Sequence, residues 1–339
     1  MSKKLFITGG LGYIGSVLAR EAASKGFDVT IYDALIYEQP RKLVMGQIHQ
    51  DSWNSAVKLI VGDTRNKELL EASLKEEKPD FVFHLAELSS VYACEHNPPY
   101  TEDMNYSGSK NVIDLCARYS IPTLYNSSSS VYGYQKENRP MTEVDFVPDP
   151  ADRYCKYKLM MEKYIKEVKD KNPDFKVLIF RPATVGGVSP RIRLELLPNH
   201  FTYCAVAKGN LRVAEPDSHR AIIDVEDLVK GYLRVLNRGV WKNTTYNIGN
   251  FNFTKITYAK RISSVVPCEI ILDPSISDPR NVQIDCTLFN DEFNFIPSKS
   301  FETSTLEIAE WLKIHLEEIE KNNFIGVLNM SLDVWRKIT

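Results

Sequence analysis

The stretch Thr8-Gly9-Gly10-Leu11-Gly12-Tyr13-Ile14-Gly15 restricts the fold of this chain more than any other. The apolar run Leu5-Phe6-Ile7 before it predicts a buried strand, and Ile14, Val17, Leu18 and Ala22 recur at helical spacing after it. Gly26 then stands where a helix C-cap belongs. Between strand and helix, Gly9, Gly12 and Gly15 permit a tight turn, close backbone approach to a ligand, and packing of the helix on the strand. The first N–H groups of the helix, around Tyr13 and Ile14, face an anion. A junction of this kind predicts a site for a dinucleotide pyrophosphate. Asp33 closes the next apolar run, Val29 to Tyr32, and is placed to accept hydrogen bonds from an adenosine ribose 2′-hydroxyl while repelling a 2′-phosphate. The expected cofactor is therefore NAD, although Arg41 and Lys42 downstream could accommodate a phosphate.

The alternation continues along the first half of the chain. Leu59 to Val61, Phe81 to Leu85, Leu124-Tyr125 and Val177 to Phe180 read as strands, with helices around Leu69 to Leu74, over about 102–119 and over about 152–168. The predicted architecture is α/β, a Rossmann-type doubly wound parallel sheet covered by helices on both faces. After Pro182 the pattern breaks into loops rich in Pro, Arg and Asn, with one amphipathic helix near 305–319. Residues 1–181 thus form the expected dinucleotide-binding domain and 182–339 a smaller second domain, some of whose segments can return to the first. A net charge of −2 gives no basic surface for nucleic-acid phosphates. The six cysteines lie far apart with no metal-type spacing, so reduced thiols and no metal are expected. The apolar run after Met1-Ser2-Lys3-Lys4 is too short for a secretory signal, and no run reaches the ~18 apolar residues of a membrane span. The expectation is a cytoplasmic protein without a membrane partner.

Tyr with Lys four residues later on a helix places an ammonium beside a phenol, where it can lower the phenol pKa and make it an acid/base. The chain contains three such pairs: Tyr106/Lys110, Tyr132/Lys136 and Tyr154/Lys158. Position decides among them. Tyr132 precedes Gly133 in a loop, and Tyr106 lies in the helix before the fifth strand, where packing is the better reading. Tyr154/Lys158 opens the helix after that strand and faces Ser128 at its carboxyl end, the side on which such sheets bind ligands.

Together these residues resemble the extended short-chain dehydrogenase/reductases, the NAD-dependent nucleotide-sugar epimerase/dehydratase family. The resemblance runs from the glycine turn to about Leu312 through Gly62-Asp63, His84-Leu85-Ala86, Asn105, Ser127-Ser128, Val131-Tyr132-Gly133, Tyr154-x-x-x-Lys158 and Arg181-Pro182. It implies that Tyr154 is the acid/base, that Lys158 also holds the nicotinamide ribose, and that Ser128 bonds the reacting hydroxyl with Ser129 beside it. It further implies cofactor contacts from Asp63, Thr64, Leu85, Ala86 and Asn105, and a nucleoside diphosphate-sugar held by Asn199, Arg220 and Arg280. Asp63 is equally readable as a turn residue, and His84 as structural. The chain departs from the pattern with Glu87 where Ala is usual, Thr184 for Asn, Gly186 for Tyr and Asp224 for His. Ser129 and Ser130 stand where dehydratases place Asp and Glu, which demotes dehydration. The resemblance thus implies an epimerase acting through a keto intermediate, at C4 of the sugar, in carbohydrate biosynthesis; a nucleotide-sugar dehydrogenase or ketoreductase is the alternative, and a non-catalytic NAD-binding protein the third reading. It also implies a homodimer paired through helices 102–119 and 152–168.

Overall fold

A computed structural model describes residues 2–36, 57–133, 135, 138–145, 150, 152–275 and 280–321. Arg41, Lys42, Lys136 and the 322–339 tail lie outside the described residues. The strands are β1 (Lys4–Thr8), β2 (Asp28–Asp33), β3 (Val57–Val61), β4 (Phe81–His84), β5 (Thr123–Asn126), β6 (Val177–Pro182), β7 (Thr184–Gly186), β8 (Asn210–Val213), β9 (His219–Asp224), β10 (Thr245–Ile248), β11 (Phe251–Thr254) and β12 (Glu269–Leu272). The helices are α1 (Tyr13–Ser24), α2 (Lys67–Glu77), α3 (Val91–His96), α4 (Pro98–Glu102), α5 (Ser109–Arg118), α6 (Arg153–Lys171), α7 (Leu197–Lys208), α8 (Val225–Arg238), α9 (Lys255–Val265), α10 (Thr287–Phe293) and α11 (Phe301–Lys321).

Seven parallel strands form the main sheet in the order β3-β2-β1-β4-β5-β6-β10. Every residue of β4 and β6 is buried, as expected of parallel strands covered on both faces. The order reverses direction between β1 and β4, and the carboxyl ends of these strands open the crevice where ligands bind. Gly26, at φ +84°, follows α1 as the predicted cap.

Two features depart from the sequence reading. The helix expected over 102–119 is interrupted by a π-helical turn, Asp103–Gly108, before α5 begins. Gly108 passes so close to α2's approach loop that an added Cβ would lie 2.6 Å from the Thr64 hydroxyl. The second departure is β10: segments after 182 can return to the first domain on the sequence reading, but no strand is expected at 245–248, and β10 adds a seventh strand beside β6. One apolar cluster accordingly runs from Leu5 and Ile7 through Phe180 to Tyr232, Phe289 and Leu312. Tyr232 on α8 lies 4.6 Å, centroid to centroid, from both Phe83 and Phe180, so α8 covers the sheet made by the first half. The remaining segments form a three-stranded sheet, β11-β9-β7, and a β12-β8 pair beside the crevice.

Candidate active site

The glycine turn is shaped by backbone contact. Gly9 has φ +71°, and a Cβ there would lie 2.7 Å from the Leu85 and Ala86 backbone. At Gly15 a Cβ would lie 2.3 Å from the Gly9 carbonyl oxygen. Gly12 caps α1 in an extended conformation without a side-chain hydrogen bond, leaving the helix N-terminus open to an anion. Asp33 accepts hydrogen bonds from the Leu11 N–H (3.0 Å) and the Leu35 N–H (2.9 Å), which ties the end of β2 to the turn. Burial raises its carboxyl above the ordinary range, against the pull of these amides and of Arg191. This end of the crevice fits a dinucleotide.

A cavity of about 810 Å³ extends from the turn to the end of β5. Of the residues predicted at the site, Gly9, Gly12, Tyr13, Ile14, Gly15, Asp33, Leu85, Ala86, Ser128, Ser129, Tyr154, Lys158, Arg220 and Arg280 line it. Asp152 accepts the Cys155 N–H at 2.8 Å and so starts α6 just before Tyr154, which directs Tyr154 and Lys158 to one face. Ser128 caps the short 3-10 turn after β5, its hydroxyl accepting the Ser130 N–H at 3.1 Å, and it lines the cavity together with Tyr154.

The charges here differ from the simple Tyr/Lys expectation. Lys158 pairs with the buried carboxylate of Glu87 and donates to the Asn126 carbonyl, while its ammonium lies 5.8 Å from the Tyr154 ring centroid. Burial pushes the Tyr154 phenol up; the neighbouring Ser128 hydroxyl lowers it and the Glu87 charge raises it again. The predicted lowering by Lys158 is thus overridden while the ammonium is paired. His84 is structural: it bridges Thr8 Oγ1 (2.6 Å) and Ser109 Oγ (2.8 Å), and burial, assisted by Lys158, drops it to about 3. It is neutral at physiological pH.

Four predicted contacts lie behind the wall of the cavity. Asn199 is fully buried, accepts the Gly187 N–H (3.0 Å) and donates to the Tyr13 phenol (3.2 Å) and the Arg193 carbonyl (2.9 Å). With both amide hydrogens and its oxygen engaged, its side chain joins the two halves of the site. Asn105, from the π turn, accepts the Leu88 N–H and donates to the Leu88 carbonyl, both at 2.8 Å, and so orders the segment after β4. Asp63 is occupied by Arg65 at 2.6 Å, and Thr64 is buried beneath Gly108. The other tyrosine pairs are also structural. Tyr132 is buried, donates to Asn247 Oδ1 at 2.6 Å and accepts from Arg181 at 2.9 Å, and it does not line the cavity. Lys110 sits over the rings of Tyr106 and Tyr164, 5.3 and 4.5 Å from their centroids.

Arg191 and Arg193 reach the cavity from the loop after β7 and were missed as site residues. Arg193 donates to Ser89 Oγ and Glu195, both at 2.7 Å. The signal available was their spacing in Ser189-Pro190-Arg191-Ile192-Arg193, beside Leu197-Pro198-Asn199.

Residues 5–249 match the model of the NAD dependent epimerase/dehydratase family. The chain is 27% identical to a bifunctional UDP-glucose 4-epimerase and UDP-xylose 4-epimerase of Pisum sativum, over 73% of this chain and 77% of that protein. A UDP-glucose 4-epimerase of Pasteurella multocida (strain Pm70) is 26% identical over 91% of this chain and 97% of its own. Among solved structures, UDP-glucose 4-epimerase from Stenotrophomonas maltophila, with bound NAD and formylated UDP-arabinopyranose, superposes with a TM-score of 0.83 at 20% identity, covering 93% and 99% of the two chains. The family match spans both the glycine cradle and the Ser128/Tyr154/Lys158 corner, and the chain belongs to the NAD dependent epimerase/dehydratase family.

Proposed function

We propose that this protein is an NAD-dependent nucleotide-sugar 4-epimerase. The observation that carries this reading is that Tyr154, Lys158 and Ser128 line one cavity with the glycine cradle and with Arg220 and Arg280. Bound NAD supplies a hydride acceptor and donor for the sugar carbon. Tyr154 takes the proton of the sugar hydroxyl and returns it, and Ser128 orients that hydroxyl. Lys158, held at the cavity wall by Glu87 and the Asn126 carbonyl, would hold ribose hydroxyls of the cofactor. Arg220 and Arg280 face the diphosphate of the substrate, for which guanidinium groups are suited. Ser129, in the same wall, offers no acidic proton for dehydration. UDP-sugars are the first substrates to test, since they are named for the relatives above. Cofactor contacts come from residues 1–181 and substrate contacts chiefly from 182–339, the division we assign to the two domains.

The test is incubation with UDP-, GDP-, CDP- and dTDP-sugars, with products followed by NMR. Interconversion of C4 epimers without net NADH formation is the expected result; release of a keto-sugar with stoichiometric NADH identifies a dehydrogenase, and no turnover refutes catalysis. Among the described residues no helix is long and apolar enough to cross a membrane. Within carbohydrate biosynthesis, we place the enzyme in the cytoplasm as a homodimer. Tyr106 of the π-helical turn and Tyr164 of α6 form an edge-to-face pair within the chain, so the two expected pairing segments lie side by side. A monomer at all concentrations in sedimentation refutes that assembly.

A further inference from the structure

Glu87 lies where five elements meet. Its Oε1 accepts hydrogen bonds from Ser109 Oγ and from the Tyr125 phenol, both at 2.9 Å, and its Oε2 pairs with Lys158. Only 4% of the Glu87 side chain and 5% of the Lys158 side chain is exposed, so this is a desolvated ion pair in the wall of the cavity. The direction of each neighbouring hydrogen bond follows from the carboxylate. Because Ser109 gives its proton to Glu87, it must accept from His84 Nε2–H; His84 Nδ1 is then the acceptor for Thr8 Oγ1–H. The Thr8 hydroxyl accepts the Leu85 N–H at 3.3 Å in turn. One oriented chain therefore connects the strand entering the glycine turn with the Glu87 carboxylate.

We propose that Glu87 is a positioning residue of the active site: its buried carboxylate holds the Lys158 ammonium beside the Asn126 carbonyl and sets the charge met by the Tyr154 phenol. The proposal rests on the reading of Tyr154 as the acid/base. The titratable groups facing Glu87 are His84 from β4, Cys94 from α3, Tyr125 from β5, and Tyr154 and Lys158 from α6. His84 is neutral, and burial with a contribution from Glu87 raises Cys94 to about 12, so neither offsets the carboxylate near neutral pH. Lys158 is the neutralising cation. While it is paired, Tyr154 faces an electrically compensated couple in place of a lone ammonium, and its phenol stays protonated. Arg193, which lines the same cavity, is the further cation facing the phenol.

The test is a titration of phenolate absorbance in cofactor-free protein, with the Tyr154 signal isolated from the chain's 17 tyrosines by subtracting the Tyr154→Phe curve. In wild type, no Tyr154 phenolate is expected at about pH 10, the ordinary phenol midpoint. Glu87→Gln keeps the shape and one acceptor but removes the charge, and should lower the Tyr154 midpoint by at least ~1 pH unit. Glu87→Asp should restore the wild-type direction. An unchanged midpoint in folded Glu87→Gln overturns the proposal. Should Gln at position 87 prevent folding, the wild-type curve still decides: Tyr154 ionising with the exposed tyrosines overturns it. No sugar or cofactor is present, so these outcomes bear on Glu87, whereas full sugar turnover by Tyr154→Phe removes the acid/base reading itself.

Discussion

Replacing Asp33 separates its role in the fold from its role in cofactor choice. Its carboxylate accepts two backbone N–H groups, from Leu11 at 3.0 Å and Leu35 at 2.9 Å, yet burial still raises its carboxyl above the ordinary value. Desolvation therefore outweighs the two amides in the cofactor-free protein. A carboxyl raised on folding favours the protonated form, so its contribution is most favourable below the unfolded value and declines as pH rises through the folded one. At neutral pH the ionised group is a net cost. Asp33→Asn removes the charge but keeps only one of the two acceptor oxygens, so relief of the buried charge is set against one stranded N–H at about 1 kcal/mol. At neutral pH its Tm should fall by no more than about half as much as that of Asp33→Ala; the relief should shrink as pH falls and the wild-type carboxyl takes up its proton. Asp33→Ala instead strands two part-buried N–H groups, each costing about 1 kcal/mol at the low end, for a fall in Tm of about 3 °C in a chain of this length. Both variants should lose cofactor discrimination. The wild type should bind NAD at least ~10-fold more tightly than NADP, about 1.4 kcal/mol, and the Asn variant should bind the two within a few-fold. Thermal unfolding and calorimetry measure the two effects independently. Equal NAD and NADP affinities in wild type, or an Asn variant as unstable as the Ala variant, would refute the reasoning.

Tyr154→Phe should leave folding and NAD binding nearly intact and reduce kcat by at least ~10²-fold, while Ser128→Ala should lower mainly kcat; steady-state kinetics on the identified sugar nucleotide checks both. Lys158→Met should weaken rate and cofactor affinity and, by leaving Glu87 buried without its cation, destabilise the fold by about 3 kcal/mol or more. Adding Glu87→Gln to that variant should recover part of the stability in thermal unfolding. Tyr132→Phe should cost about 1–3 kcal/mol because Asn247 and Arg181 lose a buried partner, whereas Tyr106→Phe should change neither stability nor rate, as denaturant titration will measure. Gly15→Ala should abolish NAD binding in calorimetry, because its Cβ would lie 2.3 Å from a backbone oxygen that no side-chain rotation can move.

The difference between what could be read from the sequence and what could not follows the range of the interactions. The β1–turn–α1 unit is local: apolar run, glycines and amphipathic helix lie within about twenty consecutive residues, and the steric reasons for Gly9, Gly12 and Gly15 appear again as backbone contacts in the structure. Choosing Tyr154 over Tyr106 and Tyr132 needed only strand order, because the carboxyl end of β5 selects the helix that follows it. Which segment of the second half returns to the sheet was not legible. Thr245–Ile248 is four residues long with two polar members, and its place beside β6 is fixed by α8 covering the sheet rather than by its own periodicity. The π turn was hidden for a related reason, since the apolar pattern of one turn does not separate i+4 from i+5 bonding. Asn105 and Asn199 match family positions, but whether an amide meets a ligand or holds a loop depends on which backbone groups surround it after folding. Glu87 shows the same limit at the chemical centre. Its departure from the family pattern was visible as a single letter, whereas its meaning required β4, α5, β5 and α6 to bring His84, Ser109, Tyr125 and Lys158 around one carboxylate. Local chemistry therefore identifies which residues can act, and the long-range packing determines the charge state in which they do so.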